Sequence, residues 1–252
     1  MIILMLLLGA LLPHLTLTGY ANVGIINGKE ADPHSRPYMV SVQKNGHHIC
    51  GGFLVSEQFV MTAAHCFGDG DKLKVVVGAH DLNRKSDPIA VKFYHIHPGY
   101  DSKELLNDIM ILQLKKTTKN IKNVESISIP KKDKDKAKTK CSVAGWGAQK
   151  TNGSVSKQLM EVDVTIVDNK DCNKKWDNQT TSRMICTFGK GGFCQGDSGG
   201  PLVCDGTAVG VVSFNEKNNC DKPTRPNVYT RISKFLTWIN DILKGVKQDY
   251  DY

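Results

Sequence analysis

The sequence predicts an all-β protein that ends in one helix. From Tyr38 onward, short runs of apolar and β-branched residues alternate with turn residues, which is typical of strands. No helical pattern of about 10–15 residues alternates with these runs, so an all-β barrel is favoured over an α/β fold. Apolar residues recur at helical spacing from Ile232 to Leu243, which predicts a C-terminal helix. The runs expected as strands are residues 38–43, 52–55, 59–62, 73–77, 109–114, 142–145, 160–167, 201–204 and 208–213.

The chain is cationic and long enough to form a large hydrophobic core. A chain of 252 residues can form one large β domain or two packed subdomains. The net charge of +8 belongs to the rest of the chain, because residues 1–24 contain no Lys, Arg, Asp or Glu. Residues 1–12 are almost all apolar, too few to cross a bilayer but suited to a signal peptide. We therefore expect secretion or storage in secretory granules, and no membrane anchor.

Eight cysteines follow this leader. An even count in a secreted chain indicates disulfides rather than free thiols. The count permits many pairings, so spacing alone does not decide the connectivity. No Cys-x-x-Cys pair is present, and the histidine pairs at 47–48 and 95–97 lack matching acidic or cysteine ligands. We expect neither a metal site nor a cofactor, and no calcium in the loop at 81–87.

A glycine-rich stretch from Gly191 to Pro201 carries the first catalytic signal. Five glycines surround Asp197 and Ser198. Glycine allows tight turns and the close approach of a ligand to main-chain N–H groups. A serine hydroxyl needs a neighbouring base to become a nucleophile, and the oxyanion it forms needs preorganised donors. Taken alone, the stretch is equally well a flexible loop with an incidental serine.

A histidine and an aspartate complete a catalytic pattern. His65 lies in Thr-Ala-Ala-His-Cys after an apolar run, and Asp108 opens the strand-like segment at 109–112. The chain order His, Asp, Ser is that of chymotrypsin. The sequence also contains Ile-Ile-Asn-Gly at 25–28, Cys-Gly-Gly at 50–52, Ala-Gly-Trp-Gly at 144–147 and Pro-Asn-Val-Tyr at 226–229. It therefore resembles the chymotrypsin-fold serine proteases, over nearly the whole chain from Ile25 to about Lys244.

This resemblance implies a fold and a reaction. The fold is two six-stranded antiparallel β-barrels that meet around residues 115–135, within a protease domain at 25–252. In the reaction, Ser198 attacks the scissile carbonyl, His65 takes its proton and Asp108 orients the imidazole. The N–H groups of Gly196 and Ser198 form the oxyanion hole. The implied activity is endoproteolysis of proteins or peptides through an acyl-enzyme, by a monomer open to serpin-type inhibitors.

The resemblance also implies four disulfides. The first would fix the loop that carries His65, and the fourth would brace the wall of the specificity pocket. The fourth is absent from granzyme B and chymase-type proteases, so it separates this chain from them. The implied pairs are Cys50–Cys66, Cys141–Cys204, Cys172–Cys186 and Cys194–Cys220.

Activation is implied at Ile25. In the family, cleavage frees this residue, and its new ammonium pairs with the aspartate before the serine, here Asp197; a buried carboxylate without such a partner is costly. Gly24 precedes the cut, so a trypsin-like activator is not expected. Residues 19–21 resemble a signal cleavage site, which gives a signal peptide at 1–21 and a propeptide at 22–24. Such a short propeptide resembles those of the granule proteases of cytotoxic and mast cells.

The specificity pocket departs from the trypsin pattern. The resemblance places the floor of the pocket at Gly192. No carboxylate stands there to pair with a substrate Arg or Lys, so cleavage after these residues is not expected. Chymotrypsin and trypsin have glycine at two wall positions where this chain has asparagine. These asparagines and Phe193 should narrow the pocket, which favours small or medium uncharged residues at P1, the residue before the scissile bond. Large aromatic residues are the second choice. In an alternative arrangement, Phe193 folds away and the amides solvate a polar side chain. The pocket positions are Gly192, Phe193, Ser213, Phe214, Asn215 and Asn227.

Two surface features complete the sequence prediction. The stretch from Lys131 to Lys140 holds six lysines against two aspartates. It is a solvated loop or, in a functional reading, a patch for an anionic polymer such as sulfated proteoglycan. Nucleic acid is not expected, because no aromatic residues interleave the lysines. Sequons at Asn152 and Asn178 predict N-glycosylation.

Two other classes of function stay open. One is a catalytically inactive cationic binding or antimicrobial protein on the same fold, although such homologues usually lack a triad residue. The other is a digestive elastase-like protease, which the basic charge and Gly24 oppose. The branch that contains granzymes and mast-cell proteases is the expected placement.

Overall fold

The computed structural model describes residues 25–133 and 135–245. The expected signal peptide at 1–21 and propeptide at 22–24 lie outside these residues. Within them, no helix is both long and apolar enough to cross a membrane.

The first barrel is closed by six antiparallel strands. Around it the order is β2-β3-β4-β7-β6-β5, with hydrogen bonds between all neighbours. Its interior is filled by alternating apolar side chains such as Val40, Phe53 and Ile111, all fully buried. A short strand β1 (Lys29–Glu30) precedes the barrel, whose strands are β2 (Met39–Lys44), β3 (His47–Leu54), β4 (Phe59–Thr62), β5 (Leu73–Val77), β6 (Ile89–Ile96) and β7 (Met110–Leu114).

The second barrel has the same strand number. Its order is β8-β9-β10-β13-β12-β11, and pairing of β11 with β8 closes it. The exposed strand β1 adds to the edge of β9, so a segment that leads into the first barrel is paired with the second. The strands are β8 (Lys140–Gly145), β9 (Met160–Ile166), β10 (Met184–Phe188), β11 (Pro201–Cys204), β12 (Thr207–Phe214) and β13 (Asn227–Arg231).

Two helices accompany the barrels. Helix α1 (Asn169–Lys175) begins after Asp168, whose side chain caps it by accepting a hydrogen bond from the N–H of Lys170 at 2.7 Å. Helix α2 (Leu236–Leu243) follows a single 3-10 turn (Ile232–Lys234). It buries Trp238, Ile239 and Ile242, and its apolar face joins the core of the first barrel.

The predicted fold class is confirmed: the described chain forms two six-stranded barrels and a C-terminal helix. The strands expected at 59–62, 73–77 and 201–204 have those bounds in the structure. Strands β6, β10 and β13 were not predicted, because barrel pairing rather than local alternation makes them extended. Helix α1 was also missed, since its seven residues contain one buried side chain, Cys172.

Four disulfides form within the barrels, with the pairing that the resemblance implies. The Cys50–Cys66 bond lies in the first barrel. The other three, Cys141–Cys204, Cys172–Cys186 and Cys194–Cys220, lie in the second. All eight cysteines belong to the described chain, so no disulfide joins one barrel to the other.

Candidate active site

The residues of the predicted triad come from both barrels. His65 lies in a 3-10 turn (Ala64–Cys66) directly after β4, and Asp108 lies two residues before β7. Ser198 lies in the glycine-rich loop between β10 and β11 of the second barrel. The site therefore depends on how the two barrels pack together.

His65 and Asp108 form a tightly oriented pair. The imidazole Nδ1 lies 2.7 Å from Asp108 Oδ2, and the His65 backbone N–H donates to Oδ1 at 3.0 Å. Asp108 is fully buried. Because a carboxylate only accepts hydrogen bonds, Nδ1 must carry the proton, which leaves the Nε2 lone pair free to act as a base.

The second barrel holds Asp108 through two hydroxyls. Ser213 Oγ on β12 donates to Asp108 Oδ2 at 2.6 Å. Thr230 Oγ1 on β13 donates to the Asp108 carbonyl at 2.7 Å. Ser213 was predicted as a wall of the specificity pocket, but its hydroxyl is engaged by this carboxylate. The contact could not be seen in the sequence, since it joins residues on different barrels.

The loop that carries Ser198 is anchored by its backbone. The Ser198 carbonyl accepts from the N–H of Gly51 at 2.7 Å, which ties it to the first barrel. A Cβ on Gly199 (φ +80°) would lie only 2.6 Å from the Gly51 carbonyl oxygen, so glycine permits this close approach. Among the described residues, Ser198 Oγ has no hydrogen-bond partner; such contacts often tighten only when substrate binds.

Two N–H groups of this loop are open to a ligand. Within 25–133 and 135–245, no group accepts from the N–H of Gly196 or of Ser198. The peptide between these two donors is held through its carbonyl, on Gly196, which lies 2.9 Å from His48 Nε2. The peptide that carries the Gly196 N–H is held as well, because the Gln195 carbonyl accepts from the N–H of Ala148 at 2.8 Å. Free donors on a backbone held in place are what an oxyanion hole requires.

His48 is a supporting residue that the sequence did not reveal. Its Nδ1 lies 2.8 Å from Ser41 Oγ, and its ring packs edge-on against Trp146. Burial lowers the pKa of His48 to about 4, so the ring is neutral and Nε2–H donates to Gly196. In the sequence it was merely half of a histidine pair, since Gly196 is far away along the chain.

Asp197 lies in a fully buried niche behind the serine. Its carboxylate accepts from the N–H of Gly147 at 2.8 Å and from the N–H of Cys194 at 3.0 Å. Burial raises the pKa of Asp197 to about 7. Gly145 and Gly147 make room for it, because a Cβ on either would overlap the carboxylate.

The segment that begins at Ile25 is inserted into the second barrel. Ile25 and Ile26 are almost completely buried, and Ile25 joins the barrel core. Ile26 exchanges backbone hydrogen bonds with Gly192, which lies in the predicted pocket floor.

The pocket residues do not all face the same way. Phe193 does not cap the slot: its ring is buried in the second barrel and packs edge-on against Tyr229, with ring centroids 5.2 Å apart. Asn227 lies over Gly192, where its Nδ2 is 2.0 Å from the place a Cβ would occupy. Asn215 Nδ2 donates to the Phe193 carbonyl at 2.9 Å. Phe193 thus folds away as in the alternative arrangement, and solvation of a polar side chain by the amides stays a prediction.

Phe214 forms part of a separate cavity beside this pocket. The Phe214 ring packs edge-on against Trp176, with ring centroids 5.1 Å apart. The Arg225 guanidinium lies over the Trp176 ring, 5.1 Å from its centroid. The cavity has a volume of about 280 Å³. It is lined by Lys103, Glu104, Leu105, Trp176, Gln179 and Phe214.

The lysine-rich stretch lies away from this cleft. Its two aspartates turn toward cations on the second barrel: Asp133 lies 2.7 Å from Lys234 Nζ, and Asp135 lies 3.3 Å from Arg231. Lys131, Lys132 and Lys136 are exposed and line a groove of about 560 Å³. The sequon residues Asn152 and Asn178 are exposed as well.

Comparison with known proteins agrees with this geometry. A model of the trypsin family, described as "Trypsin", matches residues 25–239. The chain belongs to this family. It is a serine endopeptidase, and its substrates are peptides or proteins.

Individual relatives place it within the family. Granzyme M of Rattus norvegicus is 41% identical, over 87% of this chain and 89% of its own length. Mast cell protease 3 of Ovis aries is 42% identical, over 88% of this chain and 90% of its own. The structure of neuropsin, described as a serine protease of mouse brain, superposes with a TM-score of 0.81 at 32% identity, covering 87% of this chain and all of that one. The expected placement near granzymes and mast-cell proteases is confirmed.

Proposed function

We propose that this chain is a secreted or granule-stored endopeptidase that works through His65, Asp108 and Ser198. The observation that carries the proposal is the Asp108 carboxylate, which orients His65 at 2.7 Å while Ser213 from the other barrel donates to the same oxygen. This places the imidazole at the junction between the barrels. The free N–H groups of Gly196 and Ser198 can stabilise the oxyanion that forms when the serine attacks.

The reaction proceeds in two halves. Ser198 Oγ attacks the scissile carbonyl as His65 Nε2 takes its proton, and the N–H groups of Gly196 and Ser198 stabilise the oxyanion. Each such donor is worth about 3 kcal/mol in the transition state. His65 then protonates the leaving amine, and the acyl group stays on Ser198. Water, activated by His65, releases the acyl group and restores the serine.

Activation by cleavage between Gly24 and Ile25 is part of the proposal. In the uncleaved chain, the buried Asp197 carboxylate has two N–H partners and no cation among its described hydrogen bonds. The ammonium freed at Ile25 would supply the missing positive charge. The burial of Ile25 in the barrel core supports this, because the new terminus then lies inside the protein.

Three features support the proposed specificity, location and partner of the enzyme. Asn227 over Gly192 shortens the slot, which supports a preference for small or medium uncharged P1 residues. The apolar leader supports secretion or granule storage. The exposed lysines Lys131, Lys132 and Lys136, whose neighbouring aspartates pair elsewhere, support binding of sulfated proteoglycan.

The test is cleavage-site profiling on a random peptide library, with enzyme that begins at Ile25 and Ser198→Ala as the control. Cleavage after small or medium uncharged residues, absent from the control, is the expected result. Cleavage after Arg or Lys would refute the pocket assignment and leave the mechanism standing. Folded, correctly processed protein that cleaves nothing would point to the inactive binding protein instead.

A further inference from the structure

The floor of the specificity pocket contains an unsatisfied carboxamide. Asn227 is 6% exposed, and its side chain lies directly over Gly192. Its Oδ1 is buried without a hydrogen-bond partner. Its Nδ2 lies 2.0 Å from the place that a Cβ on Gly192 would occupy. A buried polar group is nearly always paired in a native protein, so this oxygen is suited to accept a hydrogen bond from a polar group that enters the pocket.

The polar groups around this carboxamide are already engaged. The N–H and C=O of Gly192 both pair with Ile26. Asn215 Nδ2 donates to the Phe193 carbonyl, and Ser213 Oγ donates to Asp108. None of these groups therefore competes for the hydrogen bonds of the Asn227 carboxamide.

A carboxamide selects for particular chemistry. It offers donors on nitrogen and an acceptor on oxygen, and a second carboxamide matches both in one planar pair. An apolar side chain of equal size would seal the amide away from water without replacing its hydrogen bonds, which is costly. A cationic side chain would find no carboxylate at Gly192.

We propose that the enzyme prefers glutamine or asparagine at P1, which pair with the Asn227 carboxamide, over apolar residues of equal size. This preference rests on the proposed function, since it assumes that Ser198 cleaves the bond after the residue in this pocket. It narrows the small-or-medium uncharged class to side chains that both donate and accept.

The experiment uses four peptide substrates that differ only at P1: Gln against Met, and Asn against Leu, as pairs of similar shape. Wild-type enzyme beginning at Ile25 is expected to favour each amide in kcat/KM by about 10- to 100-fold. Asn227→Leu should reverse both preferences. Asn240→Leu, on the exposed face of α2, makes the same substitution away from the pocket and should leave them unchanged.

Labelling of Ser198 with a fluorophosphonate separates the possible failures. Enzyme that takes no label and cleaves no substrate contradicts the proposed function. Enzyme that is labelled but cleaves after Met and Leu as well as after Gln and Asn overturns the inference. If Asn227→Leu does not fold, the isosteric Asn227→Asp replaces it. That variant should gain cleavage after Lys, and an unchanged P1 profile would mean that the side chain does not meet P1.

Discussion

Ile26 and Gly192 exchange both of their backbone hydrogen bonds, with N···O distances of 2.9 and 3.2 Å. The pocket floor is therefore joined to the segment that cleavage after Gly24 would free. The same segment is the proposed source of the ammonium for Asp197. Specificity pocket and oxyanion loop thus share one structural support.

Removal of the free amine at Ile25 should abolish most activity. Enzyme that retains one extra residue before Ile25 has no ammonium at this point, so Asp197 lacks its cation and the Gly196–Ser198 donors lose their order. We expect kcat/KM to fall by about 100-fold or more, the size of effect that misplacement of a catalytic group produces. Matched preparations that begin at Ile25 and at Gly24, assayed on one peptide ester, give the measurement. Equal activity would contradict the activation scheme.

The uncleaved chain should lose stability as the pH rises. The folded pKa of Asp197 is raised to about 7 from an ordinary value of 3.8. Its contribution to stability is therefore fully present below about pH 4 and is lost as the pH rises through 7. Urea unfolding of uncleaved Ser198→Ala protein at pH 5 and pH 8.5 should show this loss, and Asp197→Asn should reduce it. After cleavage, pairing with the ammonium should reduce it too; a loss of equal size in both forms would argue against the pair.

His48→Ala should slow the chemical step. The substitution removes the donor to the Gly196 carbonyl, so the peptide that links the two oxyanion donors is held less firmly. We expect kcat to fall by about 10- to 100-fold with little change in KM, because the contact matters in the transition state. His47→Ala, next to it but exposed, is the matched control and should behave as wild type.

The pH profile adds a second readout at this residue. The pKa of His48 is lowered to about 4, so the ring stays neutral in the folded enzyme and the His48→Ala defect should be constant between pH 5.5 and 8. Its contribution to stability is present above its ordinary pKa of 6.5 and is lost as the pH falls toward 4. A defect that grew or vanished within this window would mean that His48 titrates there.

Ser213→Ala should weaken the orientation of the triad. The hydroxyl donates to the Asp108 carboxylate, and hydrogen bonds to charged groups are worth about 1.5–3 kcal/mol. We expect kcat to fall by about 10-fold and the free energy of unfolding to drop by a value in that range. Ser182→Ala on the exposed surface is the control for loss of a hydroxyl. Unchanged kcat would show that the contact has no catalytic role.

Removal of three groove lysines should weaken binding to sulfated polymer. The triple variant with alanine at Lys131, Lys132 and Lys136 should elute from heparin at a lower salt concentration than the wild-type protein. The control changes Lys170, Lys174 and Lys175 on α1, which removes the same charge from another exposed surface. If both triple variants elute alike, net charge alone explains retention.

The residues of the proposed triad are easier to find in the sequence than the residues that support them. His65, Asp108 and Ser198 could be recognised because their motifs are local. Phe193 could not be placed: its ring points into the barrel against Tyr229, a partner on another strand. His48 and Ser213 act on residues far away in the chain, so only the packing of the barrels reveals them.

The same distinction applies to the strands. The short runs at 59–62 and 73–77 are rich enough in apolar and β-branched residues to be bounded from the sequence. Strand β6 exposes Phe93, at 51%, on a face where alternation would place a polar residue. A register shift between Val91 and Phe93 produces this, and such irregularities follow from closing a barrel rather than from local propensity.

The absence of a disulfide between the barrels has a consequence for the survival of the enzyme among other proteases. Residues 115–139, between β7 and β8, link the first barrel covalently to the second, and each barrel also contacts a segment near one end of the described chain. Strand β1 reaches the second barrel, and α2 places Trp238 against His97 of the first. Cleavage at an exposed lysine between residues 115 and 139 should therefore leave a two-chain molecule that stays assembled and keeps its peptidase activity.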